Sequence, residues 1–145
     1  MNRAIPDLYD SLQEIAWYFG SHGINGECCG DLSFVEYMAL KKACDKNEIT
    51  VQKIGNALNF TKSGATRIVD RLEGKGYVAR EHSHTDGRVC CLTITPKGKK
   101  AIKEISQKYT LFLQDVLKEF EPQKIDEIEN ALKILLKALR QKVII

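Results

Sequence analysis

Five residues between positions 62 and 71 have the types and the spacing to grip a polyanion. Lys62, Ser63, Thr66, Arg67 and Arg71 recur at i, i+1, i+4, i+5 and i+9, which places them along one face of a helix. Cationic and hydroxyl side chains on such a face can meet phosphates and donate to base edges in a major groove. On charge alone the same face reads equally well as a solvated amphipathic helix. What decides between the two is the architecture in which the helix is set.

A second chemistry is offered by the cysteines. Of five in the chain, four form two adjacent pairs, Cys28-Cys29 in a glycine-rich stretch and Cys90-Cys91 within a strand-like run. Neither pair has the C-x-x-C spacing of a zinc ribbon. Alternation along a strand puts Cys90 with Leu92 and Ile94, and Cys91 on the other side with Val89 and Thr93. Cys90 and Cys44 are expected to be small buried hydrophobes. Cys28 and Cys29 read as exposed thiols beside Glu27 and are the candidate metal or redox residues, because soft thiolates select soft metals and react with oxidants. Adjacent cysteines close a strained ring, so a soft metal or a mixed disulfide is expected there rather than a bond between the two. A cysteine-dependent enzyme with His22 as base is the rival reading, and it lacks an orienting third group, a Gly-rich phosphate loop and an H-E-x-x-H motif.

The elements that must position the basic face can be read from periodicity. Val51, Ile54, Ala57 and Leu58 make one helical set, and Ala65, Ile68, Val69 and Leu72 make a second. Asn59-Phe60-Thr61 links them, and Thr50 and Thr61 stand where side-chain oxygens cap the two starts. Gly74 and Gly76 suit a helix stop. Residues 77–83 and 88–95 then alternate as strands about a His84-Thr85-Asp86-Gly87 turn. A helix-turn-helix followed by a β-hairpin is a winged helix. Upstream, residues 1–20 carry the stripe Leu8, Leu12, Ile15 and Phe19, with Trp17 and Tyr18 beside it as core or interface aromatics. Residues 21–30 form a loop, and Asp31 or Ser33 caps a helix running to about Cys44. Downstream, Pro96 is expected to end the strand. A long helix then presents Ala101, Ile105, Tyr109, Phe112, Val116 and Phe120, Glu121-Pro122 breaks it, and Ile125, Ile128, Leu132, Leu135, Leu136 and Leu139 form a last stripe. Three terminal helices thus have apolar faces that one small winged helix cannot cover, which points to a second subunit.

The run TVQKIGNALNFTKSGATRIVDRLEGKGYVAREHSHTDGRVCCLTITPKG resembles the MarR family of bacterial and archaeal transcription regulators. Thr66-Arg67, Asp70-Arg71-Leu72, Gly76-Tyr77-Val78, Asp86-Gly87-Arg88, Leu92-Thr93 and Thr95-Pro96-Lys97-Gly98 carry that resemblance, each weak alone and specific together. It implies a mainly α fold with a small β-wing, a winged helix-turn-helix flanked by N- and C-terminal dimerisation helices. In that family the recognition helices of an obligate dimer enter successive major grooves and a wing-tip arginine reaches the minor groove. By resemblance Arg88 is the wing arginine, Asp86 is its orienting partner, and Ile49 adds a short third strand beside the wing. Two departures stand out: the long helix after the wing lacks the histidines of zinc-sensing members, and residues 1–20 lack the cysteine of peroxide-sensing ones.

One domain spans 1–145, with the winged helix at 31–96 and dimerisation helices at 1–20 and 97–145. The formal charge is +3, but residues 61–100 hold nine Lys or Arg against four Asp or Glu, so this stretch carries +5 and the rest −2. A basic patch on a near-neutral chain favours nucleic acid over an acidic small substrate. No signal peptide or membrane span is visible, which places the protein in the cytoplasm. The expected function is a homodimeric regulator, not an enzyme, that binds a near-palindromic double-stranded DNA operator through Thr61, Lys62, Ser63, Thr66, Arg67, Arg71, Asp86 and Arg88. It needs no obligatory cofactor, and a small-molecule effector, a soft metal or a thiol signal would release it as a repressor. A winged helix used only for protein contacts is the remaining alternative.

Overall fold

A computed structural model describes residues 4–20, 29–45, 48–82 and 89–142, with the backbone alone described at 89 and 90. Six helices and one hairpin follow in order: α1 (Ala4–Phe19), α2 (Phe34–Asp45), α3 (Val51–Leu58), α4 (Lys62–Gly74), β1 (Val78–His82), β2 (Val89–Ile94), α5 (Pro96–Leu117) and α6 (Pro122–Lys142). This is the expected winged helix-turn-helix between flanking helices. Among the described residues no helix is long and apolar enough to cross a membrane.

Local chemistry explains each start and stop. Ser33 and Glu36 form a capping box at α2: the Glu36 N–H donates to Ser33 Oγ at 3.1 Å, and the Ser33 N–H donates to Glu36 Oε1 at 2.8 Å. Ser33, rather than Asp31, is therefore the cap. Thr50 accepts from the Lys53 N–H at 3.1 Å and Thr61 from the Gly64 N–H at 3.0 Å, so both helices of the turn begin where the sequence marks them. Between them Asn59 takes a left-handed φ of 59°, a conformation that asparagine tolerates. The helices then cross closely through small residues, with a Cβ added at Gly55 lying 3.1 Å from the Ala65 Cβ.

Helix α4 ends in a Schellman motif. Gly76 has φ 84°, its N–H reaches the Glu73 carbonyl at 3.0 Å, and the Tyr77 N–H reaches the Leu72 carbonyl at 3.0 Å. The wing follows at once, with β1 antiparallel to β2 in the register Val78↔Ile94, Arg80↔Leu92 and Glu81↔Cys91. The expected third strand is reduced to one bridge, in which Ile49 and Leu92 exchange N–H···O bonds of 2.8 and 3.4 Å. Pro96 opens α5 rather than merely ending the strand. Thr95 caps the helix by accepting from the Gly98 N–H at 3.1 Å, and its hydroxyl also contacts the Gly76 and Tyr77 carbonyls at 2.7 and 3.0 Å. A Cβ at Gly98 would lie 2.3 Å from the Tyr77 carbonyl oxygen, so glycine is required for α5 to seat against the foot of the wing.

The core lies inside the winged helix. Leu40, Ile54, Val69, Leu72 and Leu92 are fully buried, drawn from α2, α3, α4 and β2, and α5 lends Ala101, Ile102, Ile105 and Tyr109 along its flank. Two core expectations are corrected: Ala57 and Cys44 are exposed, because each falls at the edge of its helix stripe beyond the reach of a facing element. Helices α1 and α6 bury no residue at all. Helix α1 touches α5 through Phe19, whose ring lies 6.0 Å from Tyr109 and 6.1 Å from Phe112. Its Trp17 and Tyr18 are more than half exposed, so neither belongs to this chain's core. The chain exposes 10869 Å², whereas a compact monomer of this mass exposes roughly 7,500 Å². Helices α1 and α6, which bury no residue, contribute to the excess.

Candidate nucleic-acid interface

Burial along α4 separates its two faces. Ala65, Val69 and Leu72 point into the core, while Lys62, Ser63, Thr66, Arg67 and Arg71 are exposed together on the outside. Thr61, Lys62, Ser63, Thr66, Arg67 and Asp70 line a shallow concavity on that outer face. Around the N-terminus the hydroxyls are already oriented: Thr61 Oγ1 is 3.3 Å from Ser63 Oγ, and Thr66 donates to the Lys62 carbonyl at 3.0 Å. Thr66 thus keeps acceptor lone pairs for a base edge but has used its donor. The same helix start adds the partial positive charge of its dipole, which favours a phosphate. Beside it, Gln52 and Asn56 of α3 border a groove shared with Lys62 and Thr66. Both amides are exposed, and apolar periodicity gave no reason to single them out.

The cations of this region divide into two groups. Arg80 on β1 reaches back to α4, donating to Asp70 at 2.6 Å and to Glu73 at 2.5 Å. Hydrogen bonding to Asp70, with the charge of Glu73 beside it, raises the Arg80 pKa above its ordinary value. This clamp fixes the wing's angle to α4 and neutralises the two carboxylates on the helix. Lys75 is likewise spent inside the fold, donating to the Asp31 carbonyl at 2.7 Å and to Glu36 at 3.0 Å. Lys97 donates to the Lys75 carbonyl at 2.6 Å and lies 4.7 Å from the centre of the Tyr77 ring. By contrast, none of the ion pairs among the described residues engages Lys62, Arg67 or Arg71. These three charges remain for an external anion.

Behind the reading face a buried polar cluster holds α2 to the end of α4. Glu36 is 3% exposed; burial pushes its carboxyl up, but the Ser33 N–H and Lys75 outweigh that, and the group lies below its ordinary value. The Tyr77 hydroxyl donates to Asp31 in a short hydrogen bond, and this bond, with burial, pushes its pKa up to about 12. Ser33 is local to Glu36, but Lys75 is 39 residues from Glu36 and Tyr77 is 46 from Asp31, and no local pattern announces those two contacts.

Asp86 and Arg88 of the wing tip, His22 and Cys28 all lie outside the described residues. Cys29 is described, and it is neither exposed nor a thiol: it is 2% exposed, within the core cluster, and disulfide-bonded. The glycines around it did not make it accessible, because the Leu32 N–H closes a tight turn onto the Cys29 carbonyl at 3.1 Å and draws the residue inward. Cys91 is also disulfide-bonded, while Cys44 is free. Among the described residues no group of three or more His, Cys, Asp or Glu could hold a metal ion.

Comparison with known proteins agrees with this geometry. The MarR family model matches residues 32–90, which run from the foot of α2 into β2. YfiV, an HTH-type transcriptional regulator of Bacillus subtilis, is 28% identical over 109 residues, covering 75% of this chain and 68% of its own length. The transcriptional repressor MprA of Escherichia coli is 28% identical over 97 residues, and this chain spans only 55% of its length. Among solved structures, a MarR family protein from Bacillus stearothermophilus superposes with a TM-score of 0.75 at 23% identity, covering 97% of this chain and 99% of that one. FabT of Streptococcus pneumoniae, solved in complex with DNA, gives 0.70 at 20% identity, with 97% and 95% covered. At such identities the structural likeness speaks for the fold alone. The sequence match over residues 32–90, the capped helix-turn-helix, the clamped wing and the free cationic face agree, and the chain is similar to the MarR family of transcription regulators.

Proposed function

We propose that the chain acts in the cytoplasm as a homodimeric repressor that binds a near-palindromic DNA duplex. The observation that carries this reading is the division of charge around α4, where Arg80 neutralises Asp70 and Glu73 while Lys62, Arg67 and Arg71 stay without an ion-pair partner among the described residues. A face kept clear of internal partners suits phosphate neutralisation, and the hydroxyls among the cations suit base-edge contacts. Asp86 and Arg88 complete the reading at the wing tip by family resemblance. Two-fold symmetry of such dimers sets the half-sites about one helical turn, roughly 10 bp, apart. Dimerisation is supported by the uncovered apolar residues of α1, α5 and α6, including Leu8, Ile15, Val116, Leu132 and Leu139.

The test is selection of a duplex from a random pool, followed by titration at several salt concentrations. Six phosphate contacts per dimer give a log–log salt slope of roughly −5. Arg67→Ala should weaken binding to the selected duplex more than to random duplex. A flat salt dependence would turn the reading towards a protein-contact module. Release by a small-molecule effector, a soft metal or a thiol reagent is the regulatory part of the proposal, with Cys28 and Cys29 as its candidate metal or redox residues.

A further inference from the structure

We infer that the amides of Gln52 and Asn56 on α3, with the apolar floor beneath them, form a second reading site that selects an A·T pair beside the bases met by α4, an inference that rests on the DNA-binding reading above. The site is a cleft of about 330 Å³ between the two helices of the turn. Gln52 and Asn56 stand four residues apart on one rim, and Lys62 and Thr66 stand four apart on the other, a spacing that puts each pair on one helix face. Small residues make the crossing that brings the rims together, since a Cβ added at Gly55 would lie 3.1 Å from the Ala65 Cβ. All four rim residues are exposed, while Val51 and Phe60 are half-buried at the floor.

Hydrogen-bonding chemistry decides which base pair suits this cleft. On the outer face of α4, Lys62, Arg67 and Arg71 only donate, and Thr66 has given its proton to the Lys62 carbonyl. The Thr61 and Ser63 hydroxyls lie 3.3 Å apart, so one donates to the other. Asp70 only accepts, and it already holds Arg80. Such an inventory suits guanine, whose N7 and O6 are both acceptors. It lacks the side-by-side donor and acceptor that the N7 and N6 amine of adenine require. A planar amide presents both at the spacing of that edge. Among the residues lining the two concavities beside α4, only Gln52 and Asn56 carry an amide. The floor supplies the other half of the match. Thymine adds a 5-methyl group to the major groove, which apolar side chains contact, and Val51 and Phe60 are placed to meet it. Polar rim and apolar floor thus fit the two bases of one A·T pair.

The test repeats the duplex selection with the full chain as wild type, Gln52→Ala and Asn56→Ala, two exposed positions in a helix where alanine is well tolerated. The wild type should select an A·T pair at one position of each half-site, and the variants should relax that position while the rest of the motif stands. In titrations, replacing that pair by G·C should raise the wild-type Kd about 5-fold or more and that of Asn56→Ala by less than about 2-fold. Two base analogues separate rim from floor. In 7-deazaadenine only the N7 acceptor is lost, which should weaken the wild type and leave Asn56→Ala unchanged. In uracil only the methyl is lost, which should weaken wild type and both variants alike. An A·T preference that survives both variants, or a wild type indifferent to 7-deazaadenine, overturns the site and leaves the DNA reading standing. Equal losses on selected and random duplexes, with a shallower salt slope, assign the amides to phosphates and overturn it as well. Failure of the wild type to bind any duplex overturns the DNA reading and this site together.

Discussion

The winged helix and the flanking helices treat the same kind of residue in opposite ways. In the first, apolar side chains from α2, α3, α4 and β2 meet one another, and Leu40, Ile54, Val69, Leu72 and Leu92 are lost to solvent. In the second, α1 and α6 carry equally regular stripes and bury nothing, with Leu8, Ile15, Leu132 and Leu136 each more than 40% exposed. The polar groups divide along the same line. Around the winged helix they form long-range pairs such as Glu36 with Lys75 and Arg80 with Asp70. On α6 they form i,i+3 and i,i+4 pairs such as Lys124 with Glu127 and Lys133 with Glu129, which decorate a single helix. One region is finished within a single chain. The other leaves its apolar stripes uncovered within the single chain.

The largest expected effect breaks that contrast at α6. Ile128→Asp with Leu132→Asp places charge on two apolar positions of each protomer, and full burial of such side chains stabilises by about 1.5–3 kcal/mol apiece. Sedimentation velocity should show the dimer's dissociation constant rise more than a hundred-fold, with the circular dichroism of the winged helix retained. A wild type that is monomeric at micromolar concentration would remove the premise. Next comes Gly98→Ala, where the added methyl meets the Tyr77 backbone, which cannot yield as a side chain could, and also the Ile94 Cγ1 at 2.7 Å. Overpacking of this kind costs about 1–3 kcal/mol, readable as a lower midpoint in urea.

A smaller effect follows pH. Because the folded Glu36 carboxyl lies below its ordinary value of 4.5, its contribution is present above that pH and is lost as pH falls through the lower folded value. Glu36→Gln should therefore be less stable than wild type at pH 7, with the gap narrowing as both are taken below pH 4.5. A gap independent of pH would assign the difference to packing. The smallest change in stability belongs to Arg80→Ala, since Asp70 and Glu73 are substantially exposed and such pairs contribute at most about 1 kcal/mol. Its effect on DNA should be greater than that: with two carboxylates released on the reading helix and the wing unbraced, affinity should fall about 5-fold or more. Equal losses in stability and in binding would make Arg80 an ordinary surface arginine.

Local order is what the sequence determined by itself. A cap needs one side chain and the next turn of backbone, and a stripe needs only its own spacing, so Thr50, Thr61, the α4 faces and the two strands of the hairpin were all legible from neighbours in the chain. The TPKG run was recognisable as a motif, yet its reason, Gly98 pressed against the Tyr77 carbonyl with Lys97 over the ring, required two elements twenty residues apart to meet. Arg80 and Lys75 looked like members of one basic patch until tertiary contacts took them out of it. Cys29 looked exposed among glycines until a tight turn carried it into the core. Periodicity shows that a face is apolar but not what covers it. The stripe of α2 and the stripe of α6 are written in the same code, and only the packed chain decided that one is buried and the other left open.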